Sequence, residues 1–517
     1  MTQLTQLLKT RLQENENRKF LKDISLNQWF TGKDVEDDIA IFQEAFKRNG
    51  LGSGDVVFMS LENSAVYIPM NQAMWRYGIT AHPVAPDTPD AELLEDYSEN
   101  SYPAMIFNRA KASVFMDRTE LNYEELPLKT FPNLVLLIRK DNDKSQKSLQ
   151  ATEDSQGWIL NTSGTTGKPK QVGLSHHFMY MAGQDDLVSH RMTEDDTVLI
   201  VMPMFHINAQ ELIIVSTLMS SGRIVVAPKF SASQFWNWIK DNDCTWTSVV
   251  PTIVSILLKN ENSLASFSPN HKLRFVRCAS AMLPIDRNRE FGQRFGVPIL
   301  EGYGMTESCS QCTLSPLDAM KLGSVGKPYG SEVKILDGNR MTSEAGIKGE
   351  NVIRGPHVIT DYLEPNPDSF KDGWLLTGDL GYFDEDGYLW LNGRRKNVIN
   401  RGGEKINPTV IENAIGGLDY VKNIAAVALP DDIYGEIVAA AVILQTNVEA
   451  NEQVKQAIMA HCQKHLIRYE CPEEIYFVDD FPLNPTNKIM RPQLSQILIQ
   501  QKLVRKSQVV ERMLSEA

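Results

Sequence analysis

Asn161-Thr162-Ser163-Gly164-Thr165-Thr166-Gly167-Lys168-Pro169-Lys170 gathers four hydroxyl side chains, two glycines and two lysines into ten residues. Glycines let backbone N–H groups approach a ligand closely, and consecutive amides form a concave anion site. Hydroxyls add donors and lysines add positive charge, so the stretch has the chemistry of a polyphosphate grip. It is not the common nucleotide loop G-x-x-x-x-G-K-[ST], because the spacing runs Gly164-x-x-Gly167-Lys168-Pro169. Taken alone, such a cluster also fits a polar surface turn.

Further stretches carry groups of related chemistry. Val297-Pro298-Ile299-Leu300-Glu301-Gly302-Tyr303-Gly304-Met305-Thr306-Glu307 reads as a strand and then a turn with an aromatic, a hydroxyl and a carboxylate. Tyr303 suits stacking on a base, Thr306 suits donation to a phosphate, and Glu307 suits Mg2+, which prefers oxygen ligands. Leu376-Thr377-Gly378-Asp379 reads as a turn whose carboxylate can accept two ribose hydroxyls. From Arg394 to Lys405, five basic residues stand against one acid, Glu404, a local reversal in a chain of net charge −13. Such a run is a solvated face or a surface for polyanions. Phe481-Pro482-Leu483-Asn484-Pro485-Thr486-Asn487-Lys488-Ile489-Met490-Arg491 presents one lysine on a loop rich in proline and asparagine.

In this order the stretches resemble the signatures of the adenylate-forming superfamily, which includes acyl-CoA synthetases, peptide-synthetase adenylation domains and beetle luciferases. Two positions depart from that pattern: Gln171 stands where a glycine is expected, and Asn487 replaces the glycine before the terminal lysine. The wording Arg401-Gly402-Gly403-Glu404-Lys405-Ile406-Asn407-Pro408 especially resembles acid–CoA synthetases of the oxalyl-CoA type, and luciferases carry lysine where this chain has Asn400. The resemblance implies ATP, Mg2+ and CoA as cofactor and cosubstrates. It implies that Thr162, Ser163, Gly164, Thr165, Thr166, Gly167 and Lys170 hold phosphates. Ser280, Glu301, Gly302 and Tyr303 surround the nucleotide base, while Asp379 and Arg394 meet the ribose. Thr306 and Glu307 serve the α-phosphate and the metal. Lys488 bridges the substrate carboxylate and the α-phosphate, and Lys396 is a pivot. Arg401, Gly402 and Gly403 shape a thioester-forming tunnel. His206, with Phe205, marks the carboxylate end of an acyl pocket whose other candidates are Ala279, Ser280, Ala281, Gly302, Gly304, Met305 and Ser308.

The expected reaction is acid activation to an acyl-adenylate, then thioester formation with CoA. The alternative within the family is transfer to a carrier-protein thiol or an amine. A non-catalytic nucleotide-binding protein is a further reading, opposed by the joint presence of Thr306, Glu307, Asp379, Arg394 and Lys488.

The elements that must position these groups follow from hydrophobic patterning. A helix is expected over residues 1–20 and another over 34–48, then short apolar runs such as Val56-Val57-Phe58-Met59 and Val198-Leu199-Ile200-Val201-Met202 as buried strands. Leu174-Ser175-His176 reads as a helix start with Ser175 as its cap. After Gly323 the composition shifts to short strands and the hairpin signals Asp337-Gly338, Asp372-Gly373 and Asp386-Gly387. The fold expected is α/β: a large N-terminal domain, residues 1–395, of α/β subdomains plus a small β-rich subdomain, and a small mobile α+β C-terminal domain, residues 396–517. With 42% hydrophobic residues the core is sizeable. Net charge −13 and a pI near 5.3 argue against nucleic acid. No apolar run of transmembrane length or signal peptide is read, and six cysteines are too few for a disulfide framework, so a cytoplasmic protein is expected. Cys309-Ser310-Gln311-Cys312 reads as incidental thiols.

Overall fold

The short apolar runs form strands because most are covered on both faces, as in parallel sheets flanked by helices. The computed structural model describes residues 1–142, 147–162, 170–483 and 488–516. One nine-stranded sheet has a parallel centre made of Ile299–Met305, Phe275–Cys278, Trp246–Val249, Thr197–Ile200, Arg223–Val226 and Lys19–Asp23. A seven-stranded sheet is built around Val56–Ser60, with Thr80–Val84 and Ala104–Asn108 parallel on either side. One continuous core joins the two sheets, and Trp75, Trp158, Trp236 and Trp246 are fully buried. The Trp75 ring meets Trp158 edge-on at 5.0 Å and its Nε1 donates to Gly157 O at 3.0 Å, so the large ring is buried with its polar tip satisfied.

Residues 332–394 form a six-stranded sheet whose three turns lie at the expected Asp-Gly pairs. A separate five-stranded sheet spans Ile399–Phe477, with helices Pro408–Gly416 and Glu452–His465 over its own apolar core. A last helix, Arg491–Glu516, packs Leu494 and Leu498 on the opposite face of that sheet.

The expected helix over 1–20 ends at Glu14. Asn15 stops it by donating Nδ2 to Arg11 O at 2.7 Å, and the chain then enters the strand Lys19–Asp23, parallel to Arg223–Val226. The helix after the phosphate loop begins at His176, with Ser175 Oγ accepting from Phe178 N. The residues before it, Gln171–Ser175, form a strand antiparallel to Gln156–Asn161. Gln171 thus sits in a ladder, and its carbonyl also accepts Leu363 N at 3.2 Å. Among the described residues no helix is long and apolar enough to cross a membrane.

Asn63 clamps the two sheets near the site. Its Nδ2 donates to Met202 O (2.8 Å) and Ala227 O (3.2 Å), and its Oδ1 accepts Met204 N (2.8 Å). Asn63→Ala leaves these buried groups unmade and is expected to cost about 1–3 kcal/mol. Denaturant unfolding reads the loss, and hydrogen exchange should accelerate at Met204 before it does in the central strands.

Candidate active site

The parallel strands of the nine-stranded sheet end on one side, where open α/β sheets bind ligands. Thr197–Ile200 leads to Phe205 and His206, Phe275–Cys278 leads to Ala279-Ser280-Ala281, and Ile299–Met305 leads to Thr306 and Glu307. Ser280 is exposed and holds a left-handed backbone, φ +73°, which is uncommon for a residue with a Cβ and marks a constrained turn.

Tyr303 lies inside its strand, not in a turn, and its hydroxyl donates to Asp379 Oδ2 at 2.8 Å. Asp379 corrects another expectation. It stands within the long strand Trp374–Phe383 rather than at a turn, opposite Arg394 across the sheet, with a bulge between Asp379 and Gly381 re-aiming the backbone. Arg394 Nε donates to Asp379 Oδ1 at 2.6 Å. Each carboxylate oxygen retains a second acceptor position, as an ionised carboxylate takes about four hydrogen bonds, so ribose hydroxyls fit here.

Glu307 is buried, and its Oε1 accepts the Tyr362 hydroxyl at 2.9 Å. Lys170 Nζ lies 4.4 Å from the centre of the same Tyr362 ring and donates to Ser369 Oγ at 3.0 Å. One aromatic side chain therefore holds both the lysine that ends the phosphate loop and the carboxylate expected to meet the metal. The backbone also closes there, with Thr162 N donating to Lys170 O at 2.8 Å. Ser163, Gly164, Thr165, Thr166 and Gly167 lie outside the described residues.

Lys488 comes from the far end of the chain into the same space. Its ammonium feels Arg394, Asp379, Glu307 and Lys396, and burial together with the Arg394 charge lowers its pKa below that of an ordinary lysine. Lys396 is lowered by burial and by Arg394, and also feels Lys170. His206 is pushed down to about 4 by burial, with the Lys488 charge adding to the effect, so its imidazole is neutral at pH 7. Four cations (Lys170, Arg394, Lys396 and Lys488) thus converge on two carboxylates, Asp379 and Glu307. In an acidic chain this local excess of positive charge is an anion site. A single protein carboxylate beside it suits Mg2+, which takes few protein ligands and shares phosphate oxygens.

Several expected site residues do other work. Glu301 turns its carboxyl onto Asn288 Nδ2 (2.9 Å), and burial raises its pKa to about 7, so the side chain orders the loop from within. Arg401 stacks on Tyr434 at 3.8 Å and pairs with Glu473, while Gly402 N donates to Tyr434 O; this segment is engaged within the C-terminal unit. Ser308 spends its hydroxyl on Met305 and Ser310 backbone groups at 3.0 Å, and a Cβ on Gly304 would meet Ser310 O at 1.9 Å. Both residues shape the hairpin. Cys309 and Cys312 are buried free thiols. Tyr362 was not legible in advance, because it reaches Glu307 across 55 residues with no local motif to mark it.

Tyr362→Phe removes the hydroxyl on Glu307 and keeps the ring under Lys170. The Mg2+ concentration for half-maximal activity is expected to rise by about tenfold, as for other supports of metal ligands. A Mg2+ titration at saturating ATP measures it.

Known proteins share this fold and much of this sequence. The family model for AMP-binding enzymes matches residues 8–363, and the model for the AMP-binding enzyme C-terminal domain matches residues 410–488. The chain is 32% identical to the sulfoacetate–CoA ligase of Cupriavidus necator, covering 88% of this chain and 90% of that one. It is 34% identical to the oxalate–CoA ligase of Arabidopsis thaliana, covering 86% and 88%. The structure of the o-succinylbenzoate CoA synthetase from Bacillus subtilis with its acyl-adenylate intermediate superposes with a TM-score of 0.80 at 25% identity, covering 94% of this chain and 97% of that one. With these matches across both halves of the molecule, the chain belongs to the AMP-binding enzyme family and is an AMP-forming acid–CoA ligase of the adenylate-forming superfamily.

Proposed function

We propose that Lys488, Thr306, Glu307 and His206 carry out acid activation, and that residues 1–395 and 396–517 are the two units that rearrange between half-reactions. The observation that carries this reading is the convergence of Lys488 with Arg394, Lys396, Asp379 and Glu307. Substrate carboxylate and α-phosphate are both anionic, so their approach needs positive charge between them. Lys488 supplies that charge from a partly desolvated position, where it acts more strongly than in water. Bound Mg2+, held at Glu307, would neutralise the phosphates.

The carboxylate oxygen attacks the α-phosphorus, the bond to the β-phosphate oxygen breaks, and pyrophosphate leaves. Tyr303, Ser280, Asp379 and Arg394 orient the nucleoside, Thr306 donates to the α-phosphate, and Lys170 with the loop from Thr162 to Gly167 holds the departing phosphates. A neutral His206 contacts the acid without adding a competing charge. Once pyrophosphate is gone, Lys488 has no further electrostatic task. Rotation about Lys396 then withdraws it and brings Arg401, Gly402 and Gly403 to the site. The CoA thiol attacks the acyl carbon and AMP leaves. The names of the relatives, oxalate and sulfoacetate ligases, support a compact polar acid and CoA as the acceptor. A cytoplasmic location fits the free thiols.

Lys488→Ala should lower acyl-adenylate formation by about 100-fold or more. Thioester formation from a synthetic acyl-adenylate and CoA should stay within a few-fold of wild type. Equal loss in both half-reactions would contradict the division of labour. The protonated lysine is the active form, and its pKa is lowered, so kcat/KM for ATP should fall as pH rises through a value below 10.5. Lys488→Arg should shift that alkaline limb upward, because a guanidinium stays charged throughout.

A further inference from the structure

The turn Thr306–Ser308 carries the hydroxyl assigned to the α-phosphate and the carboxylate assigned to the metal, and each of its three carbonyls is engaged. Thr306 O accepts Cys309 N at 3.0 Å, which closes the turn, and Glu307 O accepts Ile359 N at 2.9 Å. Ser308 O lies 2.7 Å from Nδ1 of His357, a residue that follows the strand Gly349–Arg354. A carbonyl can only accept, so Nδ1 carries the proton. The Ser308 carbonyl belongs to the peptide unit that leads into Cys309. Cys309 holds a left-handed backbone, φ +55°, uncommon for a residue with a Cβ. Such a conformation persists only where the surroundings hold it.

The other side of the imidazole is built to keep that proton in place. His357 is 1% exposed, and burial lowers its pKa, so the ring is neutral at pH 7. With Nδ1 protonated, Nε2 is an acceptor, and Ser331 Oγ stands 3.1 Å away as its donor. Asp185 Oδ2 lies 3.5 Å from the same nitrogen, past good hydrogen-bond length, and burial raises the pKa of its carboxyl. Two glycines leave room for these partners. A Cβ on Gly355 would lie 2.8 Å from Ser331 Oγ, and one on Gly330 would collide with Asp185 Oδ2. A hydroxyl on one nitrogen and a carbonyl on the other thus select one tautomer.

We propose that His357 is a positioning residue for acid activation: its Nδ1–H fixes the Ser308 carbonyl, and through that peptide the direction in which Glu307 meets Mg2+ and Thr306 meets the α-phosphate. This rests on the roles proposed for Thr306 and Glu307 and adds a group that touches neither substrate nor metal. Three bonds from one short segment hold the turn. The Tyr362 hydroxyl takes the Glu307 carboxylate, Ile359 N takes the Glu307 carbonyl, and His357 takes the carbonyl at the end of the turn. Without the third, the peptide between Ser308 and Cys309 is free to rotate and the carboxylate loses its fixed aim. Mg2+ demands near-ideal geometry, so a misdirected carboxylate costs metal binding before it costs nucleotide binding.

The test measures ATP affinity of the full-length enzyme by calorimetry, once with saturating Mg2+ and once with EDTA. The ratio of the two affinities reads the metal's contribution without turnover. In His357→Leu that ratio should fall by about tenfold, with metal-free ATP affinity changed by less than about twofold. His357→Asn places an amide N–H near the position of Nδ1 and should recover most of the ratio. His357→Gln is nearer to histidine in size but places its N–H at the position of Nε2, and should behave like the leucine variant. A ring that served packing alone would reverse the order of Asn and Gln. Ser331→Ala, the milder change, lets the ring move its proton to Nε2 facing Asp185. It should lower the ratio several-fold and serves if His357→Leu shows no cooperative unfolding transition. A ratio that survives His357→Leu and Ser331→Ala, or that Gln keeps better than Asn, overturns the assignment and leaves Glu307 as the metal residue. A ratio that survives Glu307→Gln overturns the metal role of Glu307 and the assignment with it.

Discussion

The Asp379 carboxylate is the contact on which the site's geometry depends. One oxygen takes the Tyr303 hydroxyl from the nine-stranded sheet and the other takes Arg394 from the strand that leads to the C-terminal unit. Its own amide donates to Thr377 Oγ1 at 3.1 Å, and Thr377 in turn donates to Asn351 O at 2.7 Å. A neighbouring carboxylate, Glu350, receives Gly378 N and Arg395 Nη1, so the same stretch is pinned twice. Two sheets and the entry to a third are thereby held around one buried acid. Charge-assisted hydrogen bonds of this kind are about twice as strong as neutral ones. With Tyr303 and Arg394 fixed, Lys396 and Lys488 meet the other cations at the ends of the parallel strands.

That convergence of cations is unfavourable until an anion arrives. Lys396 and Lys488 are both held below their ordinary basicity by burial and by one another's neighbours. In the proposed site, a bound nucleoside triphosphate would relieve this crowding of positive charge. A site made this way need not reorganise at the moment of reaction, which is where preorganised electrostatics gains over water. It also gives a physical reason for two units. In the proposed mechanism Lys488 helps only while two anions are being joined, and a charge placed so deep would obstruct an arriving thiol if it stayed.

The stretches expected to contact nucleotide could be singled out in sequence, because a turn that cradles phosphate tolerates few residue types. Thr306, Glu307, Asp379, Arg394 and Lys488 were singled out from such stretches, and the structure brings Glu307, Asp379, Arg394 and Lys488 together. What sequence did not disclose are groups defined by long-range packing. Tyr362 holds Glu307 and Lys170 from an unmarked loop. His357 reaches Ser308 from the same loop, across 49 residues. The helix expected over residues 1–20 overruns the start of the strand Lys19–Asp23, because that strand's pairing with Arg223–Val226 is invisible locally. Asp379 looked like a turn residue because Gly378 flanks it, although Gly378 adopts φ +72° within a bulged strand. Gly304 and Ser308, named as pocket candidates, also serve the returning strand through close packing and hydrogen bonds that sequence does not show.

In the proposed reaction a carboxylate oxygen of the acid attacks the α-phosphorus beside Lys488. Turnover of an acid labelled with oxygen-18 in its carboxylate, with mass analysis of the AMP, pyrophosphate and thioester, tests it most directly. One labelled oxygen is expected in AMP, none in pyrophosphate, and one retained in the acyl-CoA carbonyl. Label in pyrophosphate or inorganic phosphate, or unlabelled AMP alongside thioester, would contradict it.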